Sequence, residues 1–281
     1  MPASVTQFRI GAFRCYAIDD GVSTYATASF LFASAPEEER ELLLREREED
    51  PNAIRCSNTC LLIESTDGRV LIDTGSGALA RSREGRENLG QLFVGLEALG
   101  IRPDEISVVI LTHLHSDHVW GCFGPGGQEP AFAAARHVVA REEWEGVHPS
   151  LAEALDRLEP LVDRVKGGAE VVPGIKLLSA PGHSPGHRGV LISSAGEHLL
   201  CLGDAVAHDL NLMHPDWTMA HEEAPDIAVE SRRRLLDRAV EDDMIVHAFH
   251  MPFPSLGRVR ISGEAYAWGE AHVAQGPKEE T

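Results

Sequence analysis

This sequence predicts an α/β layered domain with a mixed sheet. Two observations favour that fold class: short apolar runs are joined by turn residues as hairpins, and segments with apolar residues at helical spacing lie between them. A third observation concerns domain number, since no Pro/Gly/Ser-rich stretch or charge block divides the 281 residues. We therefore expect residues 1–281 to form a single domain.

Predicted strands and helices alternate along the chain. The strands cover residues 8–18, 59–64, 69–73, 107–112, 171–178, 190–202 and 244–248. The helices cover residues 36–50, 89–99, 151–165 and 225–240. Asp67-Gly68 fits the tight turn of a hairpin, and Ala195-Gly196 makes a second turn inside the strand at 190–202. The helix at 89–99 ends at Gly100, a residue type common just after a helix.

The character of each segment supports these assignments. Residues 8–18 mix apolar and polar side chains as a strand does and end at the turn signal Asp-Asp-Gly. Residues 107–112 are short, apolar and rich in β-branched side chains, which indicates a buried strand. Leucines and valines recur at helical spacing in residues 151–165, and residues 36–50 are charged enough for a surface helix.

The charge balance limits the choice of partner. The formal net charge is −19, from 44 acidic and 25 basic side chains, so the long-range field repels polyanions. No segment has the roughly 20 consecutive apolar residues that span a bilayer, and no signal peptide is visible. We expect a small-molecule substrate, no nucleic-acid or membrane partner and a cytoplasmic location, and we leave open a homodimer.

The cysteines favour a reducing compartment. Their number is odd and no C-x-x-C pair occurs, so a disulfide framework is not indicated. The five residues are Cys15, Cys56, Cys60, Cys122 and Cys201. We expect all of them to be free thiols.

The strongest chemical signal is the segment at residues 113–118, which reads His-Leu-His-Ser-Asp-His at the end of a predicted strand. In extended backbone His113 and His115 point the same way and can share one ion. The adjacent Asp117 and His118 can turn toward a second ion. Two metals about 3.5 to 4 Å apart are a standard hydrolytic arrangement.

Further ligands must come from other parts of the chain. His183 lies in a Pro/Gly-rich loop, Asp204 follows a buried strand and Gly203, and His250 follows the strand at 244–248. An isolated histidine after a strand is usually a structural or surface residue. Together with the candidates in residues 113–118, however, these three side chains form one set of candidate metal ligands.

With these motifs the sequence resembles the metallo-β-lactamase superfamily, whose fold is an αββα sandwich with helices on the outer faces of mixed sheets. The resemblance covers almost the whole chain, and residues 71–75, Leu-Ile-Asp-Thr-Gly, match the first motif, in which Asp73 would support the metal loop. It implies a dinuclear centre. The first metal would be held by His113, His115 and His183, the second by Asp117, His118 and His250, and Asp204 would bridge them.

Within the superfamily, the details favour one branch. True zinc β-lactamases generally carry a Cys where this chain has Asp204, and the flavo-di-iron branch carries Glu where it has His115. Residues 248–257 and the Asp-Asp-Gly at 19–21 resemble the methyl parathion hydrolase-like branch of ester, lactone and phosphotriester hydrolases. Acyl-homoserine lactonases usually place a Tyr shortly after the bridging Asp, but the tyrosines here are Tyr16, Tyr25 and Tyr266, which weakens the lactonase interpretation.

The resemblance implies a hydrolase that attacks with a metal-bridging hydroxide, because a single zinc already lowers the pKa of bound water to about 7. The His and carboxylate ligands suit Zn first, and they also admit Mn, Fe or Co. We assign catalytic roles to Asp117 and Asp204. His208, four residues after Asp204, is a candidate proton donor to the leaving group. His187 is a candidate hydrogen-bond partner of the ligands.

Three other functions remain open at this point. A hydroxyacylglutathione-type thioesterase shares all of these ligand types. An iron-dependent persulfide dioxygenase shares the His-Leu-His-Ser-Asp-His pattern and the later His and Asp. A metal-stabilised binding protein without turnover is disfavoured, because every ligand position of the family pattern is filled.

Overall fold

The computed structural model describes residues 4–77, 88–124, 127 and 129–271. In that part of the chain the strands form two seven-stranded sheets, one from each half of the sequence. The N-terminal sheet contains β1 (Val5–Ile10), β2 (Phe13–Ala26), β3 (Ile54–Ser65), β4 (Gly68–Ile72), β5 (Ile106–Ile110), β6 (Arg136–Ala140) and β7 (Val162–Val165), in that order. Strands β1 to β4 are antiparallel and β4 to β7 are parallel, so the sheet is mixed.

The C-terminal sheet is also ordered by sequence. It contains β8 (Glu170–Val172), β9 (Ile175–Ser179), β10 (Arg188–Ser194), β11 (Glu197–Cys201), β12 (Ile245–His247), β13 (Leu256–Ser262) and β14 (Ala265–Glu270). Its neighbours are antiparallel except β11 and β12, which are parallel and are separated along the chain by a helical crossover.

The helices cover the outer faces of the sheets. They are α1 (Ala28–Leu31), α2 (Glu37–Glu46), α3 (Leu92–Ala98), α4 (Ser116–Val119), α5 (Arg141–Glu145), α6 (Pro149–Leu155), α7 (Leu210–Met213) and α8 (Pro225–Glu241). Leu92 and Leu155 pack in the core on the N-terminal sheet, and Leu235 packs in the core on the C-terminal sheet. The αββα sandwich is confirmed.

The core between the sheets joins the two halves of the chain. Phe8, Ile110 and Val138 from one sheet pack with Val190 and Leu199 from the other, and all five side chains are buried. Apolar burial of this kind is the main favourable term in folding. Because both halves contribute to one core, we infer a single domain.

Several sequence predictions need correction. Residues 8–18 form parts of two strands, because Gly11 has a φ of 55° at a turn between β1 and β2. The helix predicted at 151–165 ends at Leu155, and Val162–Val165 is a strand. The leucines at helical spacing in residues 151–165 therefore extend beyond the helix into the connection that follows it. A turn at Gly174 divides residues 171–178 into β8 and β9. The sequence analysis also missed β6, β13 and β14.

The other elements and the free thiols are confirmed. All five cysteines are buried and unpaired by disulfides, and burial raises the pKa of Cys56 and Cys122 to about 12. Among the described residues, no helix is both long and apolar enough to cross a membrane. The cytoplasmic location and the homodimer stay predictions.

Candidate metal centre

The candidate ligands lie where strands of the two sheets end at one edge of the sandwich. His113 follows β5, His115 directly precedes α4, and α4 carries Asp117 and His118. The other three come from loops of the C-terminal half: His183 lies between β9 and β10, Asp204 lies in a short 3-10 turn after β11, and His250 follows β12. Strand ends are rigid supports, so the fold itself brings these distant positions together.

Three imidazoles converge in the first group. The Nδ1 atom of His115 is 3.0 Å from Nε2 of His113 and 2.9 Å from Nε2 of His183. Burial lowers the pKa of His113 and His183 well below the usual histidine value, so these two rings are neutral. Nitrogens bound to one tetrahedral zinc at about 2.0 to 2.1 Å stand roughly 3.3 Å apart, close to the spacing seen here.

The second group contains Asp117, His118 and His250. Their ligand atoms lie within 4.8 Å of one another, as do those of His113, His115, His183 and Asp204 in the first group. Nε2 of His250 is 3.4 Å from a carboxylate oxygen of Asp117. Burial lowers the pKa of His250, but the nearby carboxylates outweigh it and raise the pKa above its usual value.

Asp204 stands between the two groups. Its Oδ1 is 3.1 Å from Nε2 of His118, and its Oδ2 is 3.4 Å from Nε2 of His183 and 3.2 Å from Nε2 of His250. Burial raises the pKa of this carboxyl group, but the imidazoles of His118 and His250 hold it well below the usual range. The side chain is therefore a carboxylate with both oxygens turned to imidazoles.

The buried polar atoms of this cluster fit divalent cations. Oδ1 of Asp204 and Nε2 of His118 are shielded from solvent, and although they lie 3.1 Å apart they are not aligned for a hydrogen bond and neither has another partner. An unsatisfied buried polar atom is costly, and a cation between such atoms removes the cost. The donors are imidazoles and carboxylates in two adjacent groups, as a dinuclear site requires.

Asp73 supports the ligand segment that follows β5. Its carboxylate accepts hydrogen bonds from the backbone N–H and the hydroxyl of Thr112 at 2.8 Å each, and lies 2.8 Å from Nδ1 of His118. A carboxylate at that nitrogen orients the ring so that Nε2 faces the cluster. Asp73 adopts a φ of 55°, which is uncommon for a residue with a Cβ. This is the supporting position that the resemblance implied.

His187 supports Asp204 in a similar way. The ring is fully buried; its Nδ1 lies 3.0 Å from the carbonyl oxygen of Ala180, and its Nε2 accepts a hydrogen bond from the backbone N–H of Asp204 at 3.0 Å. The adjacent Gly203 has a φ of 54°, and a Cβ there would lie 2.5 Å from Nε2 of His187. Only glycine permits this close packing.

Glu143, which the sequence analysis missed, holds two ligand loops together. Its buried carboxylate accepts hydrogen bonds from the N–H of Leu114 at 2.9 Å, the hydroxyl of Ser184 at 2.7 Å and the N–H of Gly186 at 2.8 Å. These partners flank His115 and His183. The only local signal for this role was an acidic residue after β6, which is too common to be diagnostic.

His208 is not part of the cluster. Its Nε2 contacts the carboxylate of Glu49 at 3.1 Å and its Nδ1 lies 2.9 Å from Asp209. Burial lowers the pKa of His208, but these two carboxylates outweigh it and raise the pKa to about 9. The ring lines a cavity that is also bordered by Trp268, and none of the candidate ligands lines that cavity. This position does not favour the predicted role as proton donor.

Within the described part of the chain, two of the cavities are lined by candidate ligands. The first, which we call the apolar cavity, has a volume of about 410 Å³. Its neutral walls are Ala26, Phe30, Leu31, Cys56, Ala207 and Met219, and its floor contains His115, Asp117, Asp204 and His250. The second cavity, of about 730 Å³, is bordered by residues that include Trp120, Glu143, His148 and Leu151. His115, Ser116 and His221 line both cavities.

Comparison with known proteins identifies the family. The family model described as the metallo-beta-lactamase superfamily matches residues 53–250. An N-acyl homoserine lactonase of Bacillus cereus is 27% identical over 210 residues, which cover 68% of this chain and 80% of that protein. A probable metallo-hydrolase of Mycobacterium bovis is 31% identical over 180 residues, covering 53% of this chain and 56% of that protein.

Solved structures share the fold over nearly the full length. AidC, a dizinc quorum-quenching lactonase in complex with the product N-hexanoyl-L-homoserine, has a TM-score of 0.88 at 21% identity and covers 96% of this chain and 98% of its own. The hydrolase AbOPH has a TM-score of 0.83 at 22% identity and covers 97% of this chain and 99% of its own. The family match spans more than half of the chain and contains all of the candidate ligands. The chain therefore belongs to the metallo-beta-lactamase superfamily.

Proposed function

We propose that this chain, a metal-dependent hydrolase, opens the ring of lactones that carry an apolar N-acyl group. One observation carries the proposal: the apolar cavity has neutral walls and ends on four candidate metal ligands. Pockets that are mostly apolar with a few converging polar groups bind small organic molecules. The names of the relatives support the same class, since several are N-acyl homoserine lactonases.

The proposed cofactors are two divalent ions. His113, His115 and His183 would hold one, Asp117, His118 and His250 the other, and Asp204 would contact both. When bound, the ions supply a water of lowered pKa and a positive pole for the carbonyl oxygen of the ester. Zinc is the first candidate for these donors, and Mn, Fe and Co also suit them.

The chain's own residues would orient the reactants and move protons. The walls of the apolar cavity hold the acyl chain and keep bulk water away from the ester. Asp117 borders this cavity, so it is placed to take a proton from the attacking water and return it to the leaving alkoxide. Asp73 and His187 keep His118 and Asp204 in position during turnover.

The two glutathione-dependent alternatives receive less support. A glutathione thioester or persulfide brings carboxylates that cationic side chains would normally bind. Neither of the two cavities on the metal centre is lined by a lysine or arginine among the described residues. The persulfide dioxygenase would also use a single iron, whereas the donors here form two groups.

A substrate panel on protein of measured metal content tests the proposal. We would compare kcat/KM for N-hexanoyl homoserine lactone, an aryl ester, a phosphotriester, a glutathione thioester and a β-lactam. We expect the lactone to lead by at least about tenfold, or about 1.4 kcal/mol in transition-state stabilisation. Chelation should remove the activity and added zinc should restore it. A lead for the thioester or the β-lactam would contradict the proposal.

A further inference from the structure

His221 occupies a position between the two cavities that the ligand pattern does not explain. The residue lies in the connection between α7 and α8, and its ring lines both cavities. Its ring centroid is 5.4 Å from that of His115 and 4.8 Å from that of His183. A ligand in either cavity at the metal centre can therefore reach this ring.

The ring does not belong to either group of converging ligands. Among the described residues, the side chains whose donor atoms lie within 4.8 Å of one another do not include His221. It packs beside the ligands without joining them, so its nitrogens are free for another partner.

The two ring nitrogens of His221 have different surroundings. Nδ1 is shielded from solvent and has no hydrogen-bond partner, and no hydrogen bond within the described part of the chain uses Nε2. A buried N–H without a partner is rarer in proteins than an under-satisfied acceptor. The proton is therefore best placed on Nε2, the edge that a ligand in the cavities can reach. In this tautomer the ring offers one hydrogen-bond donor.

Contacts on both sides hold the ring in place. His221 stacks on Phe30 with ring centroids 4.5 Å apart and an angle of 8° between the planes. The N–H of Ala220 donates to the carbonyl oxygen of Phe30 at 2.8 Å. On the other side, Glu222 forms a fully buried ion pair with Arg232 at 2.8 Å. A donor fixed in this way loses little conformational entropy when it binds a ligand.

We propose that His221 is a substrate-binding residue that donates a hydrogen bond from Nε2–H to a carbonyl oxygen of the acyl group. The acyl chain then lies in the apolar cavity and the lactone ring lies at the metal centre. The inference rests on the proposed function and adds a residue that selects acylated substrates. A lactone without the acyl carbonyl would gain nothing from this contact.

Three variants test the role. His221→Phe keeps the aromatic stack on Phe30 and removes both nitrogens, while His221→Gln restores a donor. His214→Phe is the matched control, because His214 lies in the same connection and stacks on Trp217 at 3.9 Å but lines neither cavity. For each variant we would measure metal content, KM and kcat with N-hexanoyl homoserine lactone, and calorimetric binding of the ring-opened product N-hexanoyl-homoserine to the zinc-loaded protein.

We expect His221→Phe to raise KM and the Kd of the product by about tenfold, with kcat changed by less than about threefold and metal content unchanged. His221→Gln should recover part of the loss, and His214→Phe should stay within about twofold of the wild type. Wild-type values in His221→Phe, or a loss of metal in it, would overturn the inference alone. A wild-type protein that neither hydrolyses the lactone nor binds the product would overturn the proposed function and this inference with it.

Discussion

The two halves of the chain supply the candidate ligands in different ways. In the N-terminal half, four of them fall within residues 113–118, directly after β5 and in the short helix α4. In the C-terminal half, His183, Asp204 and His250 stand alone, each after a different strand of the second sheet. The first set is built by one short segment, and the second set exists only when three loops are packed side by side.

The supports of the two sets differ accordingly. In the N-terminal half one residue, Asp73, contacts both Thr112, just before the ligand segment, and His118 at its end. In the C-terminal half each ligand has a support of its own, and two of these supports cross to the other half: Nδ1 of His250 lies 2.9 Å from the carbonyl oxygen of Ser57, and the loop of His183 is held by Glu143. His250 and the loop of His183 thus depend on contacts between the halves, whereas Asp204 is supported within its own half.

The largest expected effect concerns Asp204, whose two carboxylate oxygens face imidazoles of both groups. Asp204→Asn replaces a carboxylate by an amide that cannot bridge two cations, so at least one metal should be lost. We expect kcat/KM to fall by a thousandfold or more, about 4 kcal/mol in transition-state stabilisation. Metal analysis and steady-state kinetics check this.

The control for Asp204→Asn is Asp163→Asn, which removes only a half-exposed ion pair with Arg136. Full activity and two metals in Asp204→Asn would show that the two groups do not need a shared carboxylate. In that case Asp204, from the C-terminal half, would not be needed to hold the second metal with the ligands of residues 113–118.

A smaller effect is expected where the two halves are joined by Glu143. Glu143→Gln replaces one carboxylate oxygen by an NH₂ group, which cannot accept the hydrogen bonds that this oxygen accepts now. One or two buried hydrogen bonds are therefore lost, at a cost of about 1 to 3 kcal/mol each. We expect zinc affinity to fall by about 10- to 100-fold, because Glu143 positions the loops of His115 and His183. Zinc titration and urea unfolding of the metal-free protein measure both effects.

Glu145→Gln on the same helix is the matched control, since Glu145 is exposed. An unchanged zinc affinity in Glu143→Gln would mean that the ligand loops keep their positions without the contact between halves.

The smallest effect concerns stability at high pH. Because Glu49 and Asp209 raise the pKa of His208 to about 9, above its usual 6.5, their ion pairs stabilise the fold fully below about pH 6.5. This contribution is lost as the pH rises through about 9, and it amounts to about 3 kcal/mol. Urea unfolding at pH 6 and pH 10 should show the loss in the wild type and a reduced loss in His208→Gln.

His198→Gln, on β11, serves as the control histidine. Turnover in His208→Gln should stay within about threefold of the wild type, because the ring faces a cavity apart from the ligands. A large fall in kcat would restore His208 as the proton donor.

Sequence patterns were sufficient wherever the determining contacts are local. The His-Leu-His-Ser-Asp-His segment lies within one strand end and one helical turn, so its spacing predicts which side chains can meet. The hairpin of β3 and β4 and the helix α8 were also predicted, since turn residues and helical periodicity act over a few positions. Strand ends and turn residues also indicated His183, Asp204 and His250 as candidates, and the family resemblance then assigned them to the two metals.

The remaining features were decided by packing between segments far apart in sequence. Residues 151–165 have helical spacing throughout, yet Val162–Val165 forms a strand because β6 offers it an edge. The three acceptor contacts of Glu143, the burial of His187 against Asp204 and the position of His221 between two cavities likewise involve partners on other elements. By itself the sequence determined the class of fold and the candidate ligands, because strand ends and ligand types are local properties. Only the tertiary structure decided which carboxylates hold the loops and which histidines meet the cavities, since a single polar residue carries no local signal of what it will face.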